Sequence, residues 1–119
     1  NWGRNVFDWN LAANSKLEPH TPGGCTECLG AVTRDGNSVT RNPAYYIIAH
    51  ASKFVRPGSV RIASNDLPGL PNTAFKTKDG KKVLIVVNVD ATTQTFSIRY
   101  KNKDASVTLN AGAVGTFVW

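Results

Sequence analysis

Apolar positions crowd most densely between Lys81 and Asp90, where Val83, Leu84, Ile85, Val86 and Val87 run without interruption. Four of the five are β-branched, the signature of a strand buried on both faces. Asp79-Gly80 stands just before the run, a turn pair that favours positive φ and folds the strand back onto Thr73 to Lys78. The remaining pattern after Pro57 is also β. Val60 to Ser64, Gln94 to Tyr100, Ser106 to Leu109 and Val114 to Trp119 are spaced at the roughly 8 to 12 residues expected of a sandwich. Phe96, Ile98 and Tyr100 alternate with Thr95, Ser97 and Arg99, so one face is apolar and the other wet.

Before Pro57 the pattern changes. Asn5 to Leu11 reads as a short strand with Val6, Phe7, Trp9 and Leu11 as its apolar members, followed by a long loop from Ala13 to Gly30 rich in Asn, Ser, Pro, Gly and Thr. Ala31 to Thr33 and Ser38 to Thr40 read as strands joined through Asp35-Gly36-Asn37. One helix follows: Asn42 is placed to cap it, Pro43 suits its first position, and Ala44, Ile47, Ile48, Ala51, Phe54 and Val55 recur at helical spacing. Tyr45, Tyr46 and His50 widen its apolar face, so it calls for a substantial partner surface. Pro57-Gly58 ends it and marks the break in character.

A chain of 119 residues with eleven aromatics suits one ordinary domain. No run approaches the roughly 20 apolar residues of a membrane span and no secretory leader pattern is present, so the expectation is a chain soluble as given, without a transmembrane segment. The absence of methionine, with Asn1 first, reads as a processed or excised piece of a longer product. The net charge of +6 is uneven: residues 59–119 hold eight Lys or Arg against four acids, with Lys76, Lys78, Lys81 and Lys82 flanking one hairpin and Arg99, Lys101 and Lys103 another. Such clusters suit phosphate or an acidic glycan, although Lys also guards exposed strand edges. No nucleic-acid module accompanies the charge, and no nucleic-acid partner is expected.

Candidate chemistry lies at the amino-terminal end. Cys25 and Cys28 have only His20 and Glu27 near them, too few for a zinc site of about four ligands. The surrounding glycines argue against a redox pair opening a helix, and a local disulfide pinning the loop is the favoured reading. It points to an oxidising, extracytoplasmic or secreted setting. No metal or other cofactor is expected, and no Ser-His-Asp set or phosphate loop offers a catalytic route. Asp8-Trp9-Asn10 ends the first strand and leads into the long loop, where a tryptophan suits either stacking on a sugar ring or burial in a core.

Asp8-Trp9-Asn10-Leu11-Ala12, Pro19-His20-Thr21-Pro22-Gly23-Gly24-Cys25, Asn42-Pro43-Ala44-Tyr45-Tyr46 and the stretch from His50 to Ser59, in combination, resemble the carboxy-terminal part of glycoside hydrolase family 30, the glucosylceramidase-like family. The Asp79-Gly80 hairpin and the Ala113 to Trp119 ending are similar too. The resemblance implies a parent with a (β/α)₈ barrel and a side β-sandwich. On it, residues 1–58 are a barrel remnant, Asn5 to Leu11 being the eighth strand and Asn42 to Val55 the eighth helix, and residues 59–119 are most of an antiparallel β-sandwich. It marks Trp9 as the aromatic at the floor of the sugar subsite, with Asn10 beside it as a second substrate-binding residue.

The resemblance also implies a retaining β-glycosidase with two catalytic glutamates from the fourth and seventh barrel strands, about 5 Å apart across the glycosidic bond. Neither is in this chain, whose Glu18 and Glu27 sit in a loop and match no family motif; no catalytic residue is assigned here. The expected function is that of a carboxy-terminal segment, inactive alone, that braces the barrel and contributes a sugar-stacking Trp9. Its partners would be a β-linked sugar or glycolipid through the parent enzyme, and the missing barrel portion as a partner chain. Whether the chain is itself an enzyme stays open, as does the choice among glucosylceramide, a 1,6-linked glucan and a xylan. The alternative is a free-standing carbohydrate-binding or glycan and lipid-headgroup recognition module, with Trp2, Trp9 and exposed tyrosines as platforms. A basic protein acting on membrane surfaces by charge is a third reading.

Overall fold

The computed structural model describes residues 5–119. Trp2 therefore lies outside the described residues. Among the described residues nine strands and one helix follow in the order β1 (Ala12–Ala13), β2 (Val32–Asp35), β3 (Ser38–Arg41), α1 (Pro43–Ser52), β4 (Val60–Ile62), β5 (Asn72–Lys76), β6 (Lys82–Val87), β7 (Gln94–Tyr100), β8 (Lys103–Leu109) and β9 (Val114–Val118). The molecule is mainly β, its sheets almost wholly antiparallel. Two compact units divide after Ile48, inside α1.

In the first unit β2 and β3 form a hairpin in register from Val32↔Arg41 to Asp35↔Ser38, turning at Gly36 with φ 58°. β1 adds to β2 in parallel through Ala12↔Val32 and Ala13↔Thr33. The expected strand from Asn5 to Leu11 does not form as a ladder; regular pairing starts only at Ala12. A strand holds its backbone groups through neighbours, and among the described residues the partners this stretch finds are at its end, where the Asn10 and Leu11 carbonyls accept Ala31 N–H at 2.9 Å and Val32 N–H at 3.0 Å. Val6 and Phe7 are each 94% exposed and Leu11 78%, so this apolar row has no core of its own.

The helix begins at Pro43 as expected, but Asn42 does not cap it with its side chain. Its amide instead donates to Gly30 O at 2.8 Å and Thr33 Oγ1 at 2.9 Å, tying the helix entry to the end of the long loop and to β2. The regular helix stops at Ser52, and one looser turn carries the chain to Val55, whose N–H reaches Ala51 O at 2.8 Å. Arg56 Nη1 donates to Ser52 O at 3.0 Å and satisfies one of the terminal carbonyls. Gly58, at φ 89°, turns the chain toward β4.

The second unit is a sandwich. One layer has strand order β4-β5-β6-β9 and the other is the β7-β8 hairpin. β6 is central, paired with β5 from Asn72↔Val86 to Lys76↔Lys82 and with β9 from Val83↔Val118 to Val87↔Val114. Its Val83 and Val86 are buried outright, which is what the five-residue apolar run requires. Leu84 and Val86 face the hairpin together with Ala74, and Phe96 of β7 meets Phe117 of β9 edge-on at 6.0 Å. Gly115 lies opposite Val86, where an added Cβ would come within 2.9 Å of Leu109 and 3.0 Å of the Phe117 ring. The second face of the layer meets the end of α1: His50 Nδ1 and Thr116 Oγ1 are 2.8 Å apart. That bond occupies His50 in packing.

Among the described residues the fully buried polar one is Asn88, just past β6. Its amide nitrogen lies 2.8 Å from Thr92 O, 3.0 Å from Leu109 O and 3.0 Å from Asn110 O, while its oxygen accepts Asp90 N–H at 3.0 Å. One side chain thus joins the exit of β6, the entry to β7 and the turn between β8 and β9. Gly69, at φ 72°, passes so close to the Asp90 carboxylate that a Cβ there would collide with it.

Candidate functional site

Trp9, Asn10 and the loop behind them make the candidate site, all within the first unit. Trp9 is 74% exposed, so its indole is available to a ligand and plays no part in a core. The peptide that joins it to Asn10 is cis. Asn10 turns its oxygen inward: Oδ1 is buried and has no hydrogen-bond partner. Gly30 closes over it, and a Cβ at that position would stand 2.7 Å from Asn10 Oδ1 and 2.8 Å from Ala13 N. Gly30 is therefore required for the loop to return onto β1.

The loop from Asn14 to Leu29 is long and without regular structure, yet internally bonded. Asn14 organises its first turn, Oδ1 accepting Lys16 N–H and Glu18 N–H at 2.9 Å each, while Asn14 N–H reaches Glu18 O at 2.8 Å. Leu17 in this turn has φ 63°. Ser15 then donates from both N–H and Oγ to Asp35 Oδ1, at 3.0 and 3.1 Å, anchoring the turn to the tip of the β2-β3 hairpin. Farther along, Gly24 N–H bonds Thr21 O at 2.8 Å. Cys25 and Cys28 are joined by a disulfide, with Cα atoms 5.6 Å apart.

An exposed indole is a stacking surface. It holds no acid and base. Glu18 accepts the Asn14 amide at 3.2 Å and is exposed, and Glu27 is exposed on the disulfide turn; neither is set on a regular element. Among the described residues no group of three or more His, Cys, Asp and Glu is arranged to hold a metal ion, and no helix is long and apolar enough to cross a membrane. Sequence reasoning missed the Asn14 turn and the Asn88 junction. For Asn88 a signal existed, an amide between Val87 and Val89 where an apolar residue would extend the strand.

The model of the glycosyl hydrolase family 30 β-sandwich domain matches residues 58–117, half of the chain, and covers β4 to β9 nearly end to end. The chain belongs to glycosyl hydrolase family 30. An endo-1,6-beta-D-glucanase of Aspergillus fumigatus is 33% identical to this family 30 chain over 95 residues, covering 74% of it and 20% of the glucanase. The lysosomal acid glucosylceramidase of Mus musculus is 26% identical over 115 residues, covering 94% of the chain and 22% of that enzyme. The solved endo-beta1,6-glucanase BT3312 superposes with a TM-score of 0.83 at 30% identity, over 93% of the chain and 26% of the glucanase. The family 30 chain thus spans about a fifth of the length of the curated relatives it matches.

Proposed function

We propose that this family 30 chain is the carboxy-terminal segment of a retaining β-glycosidase acting on a β-linked glucoside, in which residues 59–119 brace a catalytic barrel and Trp9 stacks on the sugar. The observation that carries the reading is the exposed apolar row of the first unit, Val6, Phe7, Trp9 and Leu11, joined by Tyr46, Ile47 and Ile48 on α1. Apolar surface of this extent signals a partner surface. In a (β/α)₈ barrel the last strand is flanked on both sides by parallel strands and the last helix packs on the ring, which accounts for both exposed faces at once. Trp9 and Asn10 then stand where the strand passes into its loop, the end at which barrels build their sites.

The relatives' names join this sequence to 1,6-linked glucans and glucosylceramide, both β-glucosides. Hydrolysis with retention needs two carboxyl groups about 5 Å apart on rigid elements, and the present residues supply no such pair. The segment by itself is inactive on this reading, and its chemistry comes from the barrel. Its disulfide fits an extracytoplasmic or secreted setting. The test is hydrolysis of a β-glucoside by a longer product that contains this chain, set beside the isolated chain. Activity in the longer product alone supports the proposal. Sugar binding by the isolated chain, with an inactive longer product, would favour a free-standing recognition module.

A further inference from the structure

We propose that the groove between the turn after α1 and the tip of the β5-β6 hairpin binds an anionic glycan, a sugar chain bearing carboxylate or sulfate groups, through Lys53, Arg56 and Lys78. The groove lies wholly in the second unit and is independent of the sugar-site reading. Residues 53–59 make one wall and residues 77–81 the other, with Val83 of β6 and Val118 of β9 between them as the floor. Its volume of about 700 Å³ is within the range of sites that hold an organic molecule. A single sulfate or phosphate ion needs far less.

Charge on the two walls is one-sided. Lys53 and Arg56 stand on the first and Lys78 and Lys81 on the second, with Asp79 as the acid that lines the groove beside them. Lys81 takes that carboxylate at 2.9 Å, and the other ion pair among the described residues is Arg99 with Asp104 at 2.7 Å. Lys53, Arg56 and Lys78 are thus left without a carboxylate. Arg56 is also held in place: Nη1 donates to Ser52 O at 3.0 Å, and the Arg56 carbonyl accepts Ser59 N–H at 3.0 Å and the Ser59 hydroxyl at 2.6 Å. The rest of its five-donor fork remains to meet an oxyanion. Lys78 lays its stem along Gly58, where a Cβ would stand 3.7 Å from Lys78 Cδ, and Lys53 Nζ lies 5.3 Å from the centre of the Phe54 ring.

The chemistry between the charges selects the partner. Val118 is 43% exposed and Phe54 half-buried, so apolar surface lies between the cationic walls. A pyranose ring has the matching layout, a C–H face for that surface and carboxylate or sulfate substituents at its rim for the guanidinium and the ammonium groups. An acidic peptide brings the same charge together with a backbone whose N–H and C=O groups need partners. The two walls spend theirs internally, Thr77 N–H on Lys81 O at 2.9 Å, Gly80 N–H on Thr77 O at 3.0 Å and Ser59 N–H on Arg56 O. A glycan's hydroxyl groups face water across the open side of the groove.

The experiment is calorimetric titration of the 119-residue chain with dextran sulfate, polygalacturonate, neutral dextran and polyglutamate, the two arms with anionic sugars separating sulfate from carboxylate as the preferred group. Expected is binding of at least one anionic polysaccharide about tenfold or more tighter than of neutral dextran, weakening as salt rises from about 0.1 M to about 1 M and the Debye length shrinks from about 10 to about 3 Å. Lys53→Gln with Lys78→Gln, both on exposed positions, should remove about tenfold of that affinity. Arg56→Lys keeps the charge and loses the fork, and should cost about threefold. Lys101→Gln with Lys103→Gln, an equal loss of charge at the tip of the β7-β8 hairpin, should leave the affinity unchanged. Equal affinity for neutral and anionic dextran, an equal loss in the control pair, no change on Arg56→Lys, or tighter binding of polyglutamate than of either anionic polysaccharide at matched charge would each overturn the proposal.

Discussion

Removing the buried Asn88 amide takes the shared donor from the carbonyls of Thr92, Leu109 and Asn110, so Asn88→Ala should lower stability by about 2 kcal/mol. Chemical denaturation of the wild type and variant checks this; a change under about 1 kcal/mol would mean that water or a shifted backbone replaces the bonds. Gly69→Ala meets both the Asp90 carboxylate and an unfavourable positive φ, and should cost about 2 kcal/mol or more. Such residues show where sequence reading stops. Nothing in the run Val87-Asn88-Val89-Asp90 says which carbonyls the amide will meet, because they arrive from segments some twenty residues downstream. Trp9 was legible as a candidate, but only the fold settles that its indole is exposed.

At the scale of elements, periodicity worked where a strand has its neighbours within the chain and failed where it does not. The β5-β6 hairpin follows its Asp79-Gly80 turn and β7 its alternation, while β8 begins at Lys103, three residues before the expected Ser106, and the Val83 to Val87 run sits centrally as its composition requires. Asn5 to Leu11 has the same apolar alternation and no ladder, since side-chain pattern supplies no backbone partners. Asn42 shows the converse, a residue whose capping preference is overridden by bonds to Gly30 and Thr33. The hairpin turns also carry the groups that respond to pH. Asp79 is held below the ordinary carboxylate range by the Thr77 hydroxyl first and then Lys81, and Asp104 by the hydrogen bond from Arg99. A depressed folded-state value means stability that is present above the unfolded value near 3.8 and lost as pH falls through the folded one. Both groups are fully exposed, so the effect is small: Asp104→Asn should slightly flatten the loss of thermal stability below about pH 4 and leave neutral pH nearly unchanged. A large loss at neutral pH would contradict that assignment.

At the scale of the molecule, the second unit has a buried centre and two layers, while the first exposes Val6, Phe7, Trp9 and Leu11. The isolated chain should therefore bind a hydrophobic dye or self-associate, and Val6→Ser with Phe7→Ser should reduce both without lowering the sandwich's resistance to denaturant. A monodisperse chain that binds no dye would argue that this row needs no partner. The central claim is that the chain completes a glycosidase and lends Trp9 to its sugar site. Its most direct test is the rate of β-glucoside hydrolysis by a longer product that includes this chain, with Trp9 and with Trp9→Ala. The expected result is activity in the longer product, none in the isolated chain, and a loss of about tenfold or more in kcat/KM on Trp9→Ala, corresponding to about 1.4 kcal/mol or more of lost stacking. Full activity without Trp9, or hydrolysis by the isolated 119 residues, would contradict it.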